Sequence, residues 1–541
     1  MDKAIGFSLT KQPFEPEVPP WLGAYYWLNV LHVSQGEWNL TVWGHGDLSK
    51  FLTPEGYVVG YSDTELTRLT REPMQNRGVL IKLSPTFSIA NDALGQLPVF
   101  YSQRDGVPII SSCEECVIKW RGGVTLNRAR LVQYLIFQSY VGTVTLWDEI
   151  DKLYANRILK LSLDGQYVQM EQEPLRFKYI EAEQAIATIS QISKRIIRSY
   201  TDPLDDVYLP LSRGKDSGIL LGNMVRPGRI HARTMPSSWP LDRCEDVVIT
   251  RARCRNTGVE DHQIIDFPGQ SYQQAYRPQI EYAGTPLAST QAYIFGINQW
   301  MGQEGNHWPV ISGSCGDITA GSGVARVLEM YNVRQTANDR ERFKLACYCH
   351  SKEWKTPAFD ACVSFDPASE ISRSGIQAEW SVLWRASEGH SVGVNLDLIR
   401  LRNRGSQYIT YAWAAADLWG SYVAPFTDRA YVTTMLSLPQ KAREFCCAQK
   451  EYGKKFLPGL LPNGGVHSSV WDVSNTLNNT TVSAEALWPL TADGCRPAHP
   501  FFIPAGIQGL YRRALDGDMK SFFWLHSLQP LAYMIDKGYV K

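Results

Sequence analysis

Apolar and polar positions keep one rhythm over the first third of the chain and another after it. From residue 22 to 120 the pattern is of short strands separated by turns. Gly56-Tyr-Val-Val-Gly-Tyr61 and Gly78-Val-Leu-Ile-Lys-Leu83 have strand composition with Gly, Asn or Asp nearby. Leu126 to Phe137 carries its apolar residues at helical spacing. Arg157-Ile-Leu-Lys-Leu-Ser-Leu followed by Asp164-Gly165 reads as a hairpin.

The rhythm changes between about 170 and 180, where a domain boundary is expected. Ala185, Ile186, Ile189, Ile192, Ile196 and Ile197 repeat near 3.6 residues and predict a helix over Glu181 to Tyr200. A strand, Val207-Tyr-Leu-Pro-Leu211, then leads through a polar loop to a helix expected from about Ser217. Ile230-His-Ala-Arg-Thr234 and Val310-Ile-Ser312 are further strand-like runs with helix-compatible sequence between them. Strands alternating with helices predict a doubly wound parallel sheet. The remainder, from about 325, reads as mainly helical. The fold class expected is therefore mixed, α+β then α/β, in units of 1–175 and 176–541.

Composition adds limits. The chain has 541 residues, 44% hydrophobic and 20% charged, with 54 basic and 54 acidic side chains. Zero net charge weighs against a dedicated nucleic-acid binder. No run of about 18 apolar residues suggests a membrane span. The first residues lack a signal-peptide pattern, so a cytoplasmic location with reduced cysteines is expected. Among eleven cysteines, Cys113-Glu-Glu-Cys116 is a lone CxxC, and Cys347-Tyr-Cys349-His350 has poor zinc spacing. Small buried apolar residues are the plainer reading of both. The early tryptophans Trp21, Trp27, Trp38 and Trp43 suggest a β-rich aromatic core.

The most informative local feature is Leu211-Ser-Arg-Gly-Lys-Asp-Ser-Gly218. It leaves a strand and opens a helix, so backbone N–H groups and the positive helix end face whatever sits there. Gly214 permits close approach to a phosphate. Ser212 and Ser217 add hydroxyls, and Arg213 and Lys215 add charge. Asp216 would repel phosphate unless it holds Mg²⁺. The spacing is not that of a Walker loop. A second loop, Ile311-Ser-Gly-Ser-Cys-Gly-Asp317-Ile-Thr-Ala-Gly321, also follows an apolar strand and carries a second carboxylate. Loops at the carboxyl ends of neighbouring strands converge where a doubly wound sheet reverses its order. A plain polar loop and a turn-stabilising Asp317 are the alternatives.

Leu-Ser-Arg-Gly-Lys-Asp-Ser resembles the SGGxDS pyrophosphate loop of the asparagine synthetase family, which includes β-lactam synthetases and lasso-peptide cyclases. The likeness spans nearly the whole chain. Asn91 to Tyr101 is similar to the family's "D-x-x-G-x-x-P-L-Y-Y" run, and Ser111-Ser-Cys-Glu-Glu to its "S-S-E". Thr145 to Leu153 resembles "T-L-F-x-G-I-x-x-L", and Asp242-Arg-Cys-Glu245-Asp246 resembles an acidic motif. Ser312-Gly-Ser-Cys-Gly-Asp317 is similar to "S-G-x-G-x-D". Ala424 to Arg429 and Leu436 to Pro439 resemble "x-P-F-L-D" and "L-x-L-P".

The resemblance implies an Ntn-hydrolase-like αββα sandwich followed by a PP-loop ATP pyrophosphatase domain. It implies ATP and Mg²⁺ as cofactors, with a carboxylate adenylated, pyrophosphate released and an amine acylated. Ser212, Gly214, Lys215, Asp216, Ser217, Ser312 and Gly313 would surround pyrophosphate. Asp216 and Asp317 would bind the metal, and Leu211 and Met235 would lie against adenine. Departures are equally informative. The second residue is Asp2, where glutamine-using members carry a nucleophilic Cys, so no glutaminase activity is expected. Ser314 stands where asparagine synthetases carry Glu and β-lactam synthetases Tyr, and a serine is a poor base. The family's "R-x-x-K" lysine is missing from Leu461 to His467; Lys450, Lys454 and Lys455 are the candidate replacements. An intramolecular or peptide-directed amide synthetase, most like a lasso-peptide macrocyclase, fits best. Amine and activated acid on one molecule gain up to ~7–11 kcal/mol from orientation. Expected partners are a peptide or small amino acid, with a precursor peptide and its leader protease as further candidates. Neither nucleic acid nor membrane is expected. The alternatives are an ammonia-dependent asparagine synthetase or β-lactam-type synthetase, and a degenerate, non-catalytic binding subunit.

Overall fold

Phe7 and Leu9 face one side of the first strand while Ser8 and Thr10 face the other, a period of two that buries both sides differently. The computed structural model describes residues 2–54, 56–60, 77–84, 86–162, 165–172, 174–236, 241–265, 275–285, 292–321, 362–366, 392–460, 484–490 and 499–541. The chain is mixed α and β, with two antiparallel sheets, one parallel sheet and surrounding helices. Cys347, Cys349, His350 and the Leu461–His467 segment lie outside the described residues.

Among the described residues, twelve strands precede residue 172: β1 (Lys3–Lys11), β2 (Asn29–Gln35), β3 (Trp38–His45), β4 (Leu52–Thr53), β5 (Gly56–Gly60), β6 (Gly78–Lys82), β7 (Ser88–Asn91), β8 (Phe100–Arg104), β9 (Val107–Ser111), β10 (Asp151–Lys152), β11 (Arg157–Leu161) and β12 (Tyr167–Glu171). They form one sheet in the order β10-β8-β9-β1-β3-β2 and another in the order β12-β11-β7-β6-β5-β4. Phe7, Leu9, Trp38, Leu40 and Val42 from the first meet Tyr57, Val59, Val79, Ile81 and Ile89 from the second in a single core. The strands expected over 56–61 and 78–83 form as β5 and β6 and pair with each other, and the expected hairpin is β11 and β12. Helices α1 (Glu114–Arg121) and α2 (Arg128–Phe137) follow β9. Asn127 caps α2 through Arg130 N–H, at 3.0 Å, which sets its start just after Leu126.

After α3 (Ala185–Thr201) come β13 (Val207–Pro210), α4 (Lys215–Asn223), β14 (Ile230–Thr234), α5 (Glu245–Thr257), β15 (His262–Ile264), β16 (Val310–Ile311) and β17 (Tyr422–Val423). These strands are all parallel, in the order β15-β14-β13-β16-β17. The order runs outward in one direction from β13 and in the other from β16, so the reversal lies between those two strands. α4 begins at Lys215, two residues before the expected start, because Gly214 already serves as its N-cap. β15 and β17 were not anticipated; strands of three and two residues show no readable alternation.

Helices α6 (Arg429–Leu436) and α7 (Cys447–Phe456) pack on α3. Two closing helices, α8 (Pro504–Leu515) and α9 (Met519–Asp536), share a core with α1, α2 and the first antiparallel sheet through Ile507, Leu510, Phe522, Leu525, Leu528 and Val117. Lys3 and Arg77, from the antiparallel part, both pair with buried Asp417, which also accepts the Tyr422 N–H at 2.8 Å. Among the described residues, no helix is long and apolar enough to cross a membrane.

Candidate functional site

The polar turn after β13 is held in shape from behind. Ser217 Oγ accepts the Ser212 N–H at 3.2 Å and donates to the Ser212 carbonyl at 3.1 Å, while Ser212 Oγ accepts the Gly214 N–H at 3.1 Å. Thr234 donates to the Leu211 carbonyl at 2.9 Å, tying the turn to the end of β14. The strongest constraint comes from Arg253, a wholly buried residue on α5. Its guanidinium donates to the carbonyls of Ser212, of Gly214 at 2.9 Å and of Arg213 at 2.9 Å. Burial pulls its pKa down to about 10, still well above neutrality. Buried Asp246, also on α5, accepts the Arg213 N–H at 2.9 Å, and Glu245 pairs with the Arg213 side chain. Arg213 is therefore turned to an acid rather than left to crowd the turn.

With three successive carbonyls turned toward Arg253, the first-turn N–H groups of α4 remain as donors at the helix start. Gly214 has no side chain to cap them. This is the local chemistry of an anion cradle.

The second loop leaves β16 beside it. Ser312 N–H donates to the Val423 carbonyl at 2.9 Å, and the Ser312 and Ser314 hydroxyls bond each other at 2.7 Å. Cys315 has a left-handed backbone, φ 66°, and turns the chain into a short helix over Gly316–Thr319. The two loops touch. A Cβ on Gly316 would fall 2.7 Å from Asp216 Cγ and from Phe426, and one on Gly313 would fall 3.1 Å from Asp216 Cβ. Only glycine permits that approach without displacement.

Asp216 stands at the contact. Lys215 Nζ lies 3.1 and 3.3 Å from its two carboxylate oxygens, and Gln449 of α7 donates to it at 3.3 Å. Burial raises the Asp216 pKa, Lys215 opposes that, and the charge of Asp317 adds to the rise. Burial works to lower Lys215, but Asp216, Cys446 and Asp317 outweigh it and hold the pKa above the usual range. Asp317 thus acts electrostatically on both. Its carbonyl accepts the Cys446 thiol at 3.8 Å.

The fold brings together Ser212, Gly214, Lys215, Asp216, Ser217, Ser312, Gly313, Ser314 and Asp317. Leu211 is buried in the sheet core, and Met235 follows β14 against Tyr208 and Ile265. Half-buried Lys450 of α7 has a small electrostatic effect on the Cys446 thiol. Lys454 and Lys455 are not drawn in. Both are exposed on the last turn of α7, Lys454 paired with Glu451 at 2.7 Å and Lys455 over the Phe456 ring. Sequence reading passed over Arg253 and Gln449. Arg253 had a legible signal, since it stands seven residues after Asp246 and so on the same face of α5. Gln449 had none, because its role depends on how α7 packs.

Among the described residues, no group of three or more His, Cys, Asp or Glu is placed to hold a metal ion. Two carboxylates that share one field suit a cation arriving with phosphate oxygens, since Mg²⁺ bound beside nucleotides commonly takes one or two protein carboxylates. Burial does most to raise Asp216 and the Asp317 charge adds to it; a dication there would relieve that repulsion. No protein-family model matches this chain, and no curated protein matches it.

Proposed function

We propose that this chain is an ATP-dependent carbon–nitrogen ligase that adenylates a carboxylate and passes it to an amine carried on the same substrate, as in lasso-peptide macrocyclisation. In this reading residues 1–175 are an Ntn-hydrolase-like layer without glutaminase activity and 176–541 a PP-loop synthetase domain. The observation that carries the proposal is the meeting of the β13 and β16 loops at the reversal of strand order, with Asp216 wedged against Gly313 and Gly316.

A carboxylate oxygen attacks the α-phosphorus of ATP, and pyrophosphate leaves as the acyl-adenylate forms. The α4 N–H groups and the Ser212 and Ser217 hydroxyls receive the leaving pyrophosphate, with Lys215 as the nearest cation. Asp216 and Asp317 would hold Mg²⁺, which supplies charge neutralisation on the phosphates. The amine then attacks the acyl carbon, AMP leaves, and one proton is released. Lys450 is the lysine best placed to steady the developing oxyanion. Ser314 is tied to Ser312, so it orients groups rather than serving as a base.

That same Ser314–Ser312 bond, together with the Lys215–Asp216 pair, favours a second reading, a binding subunit without catalysis. One experiment separates them. The protein is incubated with Mg·ATP and either peptides bearing a free amine and a side-chain carboxylate, or aspartate with ammonia. Pyrophosphate is measured by a coupled assay and products by mass spectrometry. Pyrophosphate release with a peptide product lighter by one water, lost on Asp216→Asn, supports the ligase. Asparagine as the product replaces macrocyclisation by the small-substrate alternative. Nucleotide binding without pyrophosphate under either condition supports the binding subunit.

A further inference from the structure

Cys113 and Cys116 lie outside the nucleotide site, and their placement is specific. Cys113 is the N-cap residue of α1, with an extended backbone at φ −110° and ψ 117°, and Cys116 is in the helix's first turn. The two are one helical turn apart, and the Cys113 thiol helps raise the Cys116 pKa. Ser111 Oγ accepts the Cys113 N–H at 3.0 Å. Ser8 and Ser111, paired across β1 and β9 with their hydroxyls 2.8 Å apart, lie near Cys116 and oppose the rise in its pKa. Both cysteines are free thiols, Cys116 wholly buried and Cys113 partly exposed.

Cys113 also lines a cavity of about 30 Å³ beside Arg77, Ser112, Glu114, Tyr282 and Tyr411. That is room for a water-sized molecule. A partly accessible thiol on such a cavity, with a second, buried thiol one helical turn away, is the arrangement of an attacking and a resolving cysteine.

We propose that Cys113 and Cys116 form a peroxide-reactive dithiol that closes to a reversible intrahelical disulfide. The Cys113 sulfur attacks one oxygen of hydrogen peroxide, the O–O bond breaks, and Cys113 becomes a sulfenic acid as water leaves. The Cys116 sulfur then displaces the sulfenic oxygen, which leaves as a second water with the Cys116 proton. Two thiols are oxidised by two electrons and one peroxide is reduced to two waters. Burial raises the Cys116 thiol well above its ordinary pKa, so the partly exposed Cys113 is the thiol that meets peroxide first. This inference is independent of the proposed ligase.

Arg104 and Lys119 bracket both cysteines within one tryptic peptide, which makes the test direct. Fully reduced protein is exposed to stoichiometric hydrogen peroxide, alkylated with N-ethylmaleimide, digested and examined by mass spectrometry. The expected peptide has lost two hydrogens, carries no maleimide, and recovers two alkylation sites after dithiothreitol. Cys116→Ser should instead accumulate a sulfenic acid at Cys113 that dimedone traps. Full alkylation of both cysteines in peroxide-treated wild-type protein would overturn the proposal. So would sulfinic acid at Cys113 with Cys116 still alkylated.

Discussion

Arg253 and Glu114 are two buried ionisable residues with opposite tasks. Arg253 fixes peptide orientation by taking three loop carbonyls at once. Arg253→Met keeps much of the volume and removes the donors, so those carbonyls can rotate toward the anion. Mg·ATP binding measured by calorimetry should weaken at least about tenfold, roughly 1.4 kcal/mol, with the far-UV circular dichroism spectrum unchanged. Unchanged affinity would mean that the turn keeps its shape without the guanidinium. Glu114 accepts bonds from Tyr140 at 2.6 Å, from Trp147 at 3.1 Å and from Thr285, and burial lifts its pKa from 4.5 to about 7. The folded state then holds a proton that the unfolded chain loses first, so stability falls as pH rises from 4.5 to 7, by up to about 1.4 kcal/mol per unit. Buried Lys152, pushed down to about 7, gives the opposite slope above that pH. Urea denaturation at pH 5 and 7 should show a smaller loss for Glu114→Gln than for wild type; equal slopes would remove Glu114 as the source.

At the scale of elements, the close approach of two loops depends on side chains that are missing. Gly316→Ala places a Cβ 2.7 Å from Asp216 and Phe426, and one or both loops must move. The midpoint of thermal unfolding should fall and Mg·ATP affinity should drop, whereas Gly228→Ala, with open space around it, should change neither. Equal effects from the two would show the contact to be loose. Much of this layout was legible beforehand. The Ile periodicity of α3, the strands β13, β14 and β16, and the two Gly-containing loops follow from local pattern, because each is decided by residues a few positions apart. The loops' adjacency was expected from the rule about strand-order reversal rather than from any residue. What stayed hidden depends on packing between distant segments: α7 bringing Gln449 to Asp216, Lys454 and Lys455 turning outward, and α8 and α9 packing with the first antiparallel sheet. The placement of Cys113 and Cys116 was hidden for another reason. A lone CxxC does not reveal that it straddles a helix start.

Across the whole molecule, the antiparallel and parallel parts are joined by buried charge as well as apolar surface. Lys3 and Arg77 both end on Asp417, beside the strand that completes the parallel sheet. Two cations oppose burial and hold the Asp417 pKa below its ordinary value. Asp417→Ala would take the shared carboxylate from two buried cations and should cost about 3–5 kcal/mol, the scale of breaking a buried pair from one side. Denaturation with guanidinium, followed by both fluorescence and circular dichroism, should show a lower midpoint. A change below about 0.5 kcal/mol would mean that water has replaced the carboxylate. Everything said of function rests on magnesium-bound triphosphate binding where the β13 and β16 loops meet. Calorimetric titration of Mg·ATP and of metal-free ATP into wild type, Asp216→Asn and Asp317→Asn tests that binding. Saturable binding by wild type that needs the metal, and loses that need in either variant, is the expected result. Identical titrations for all three proteins, or no binding to wild type, would contradict it.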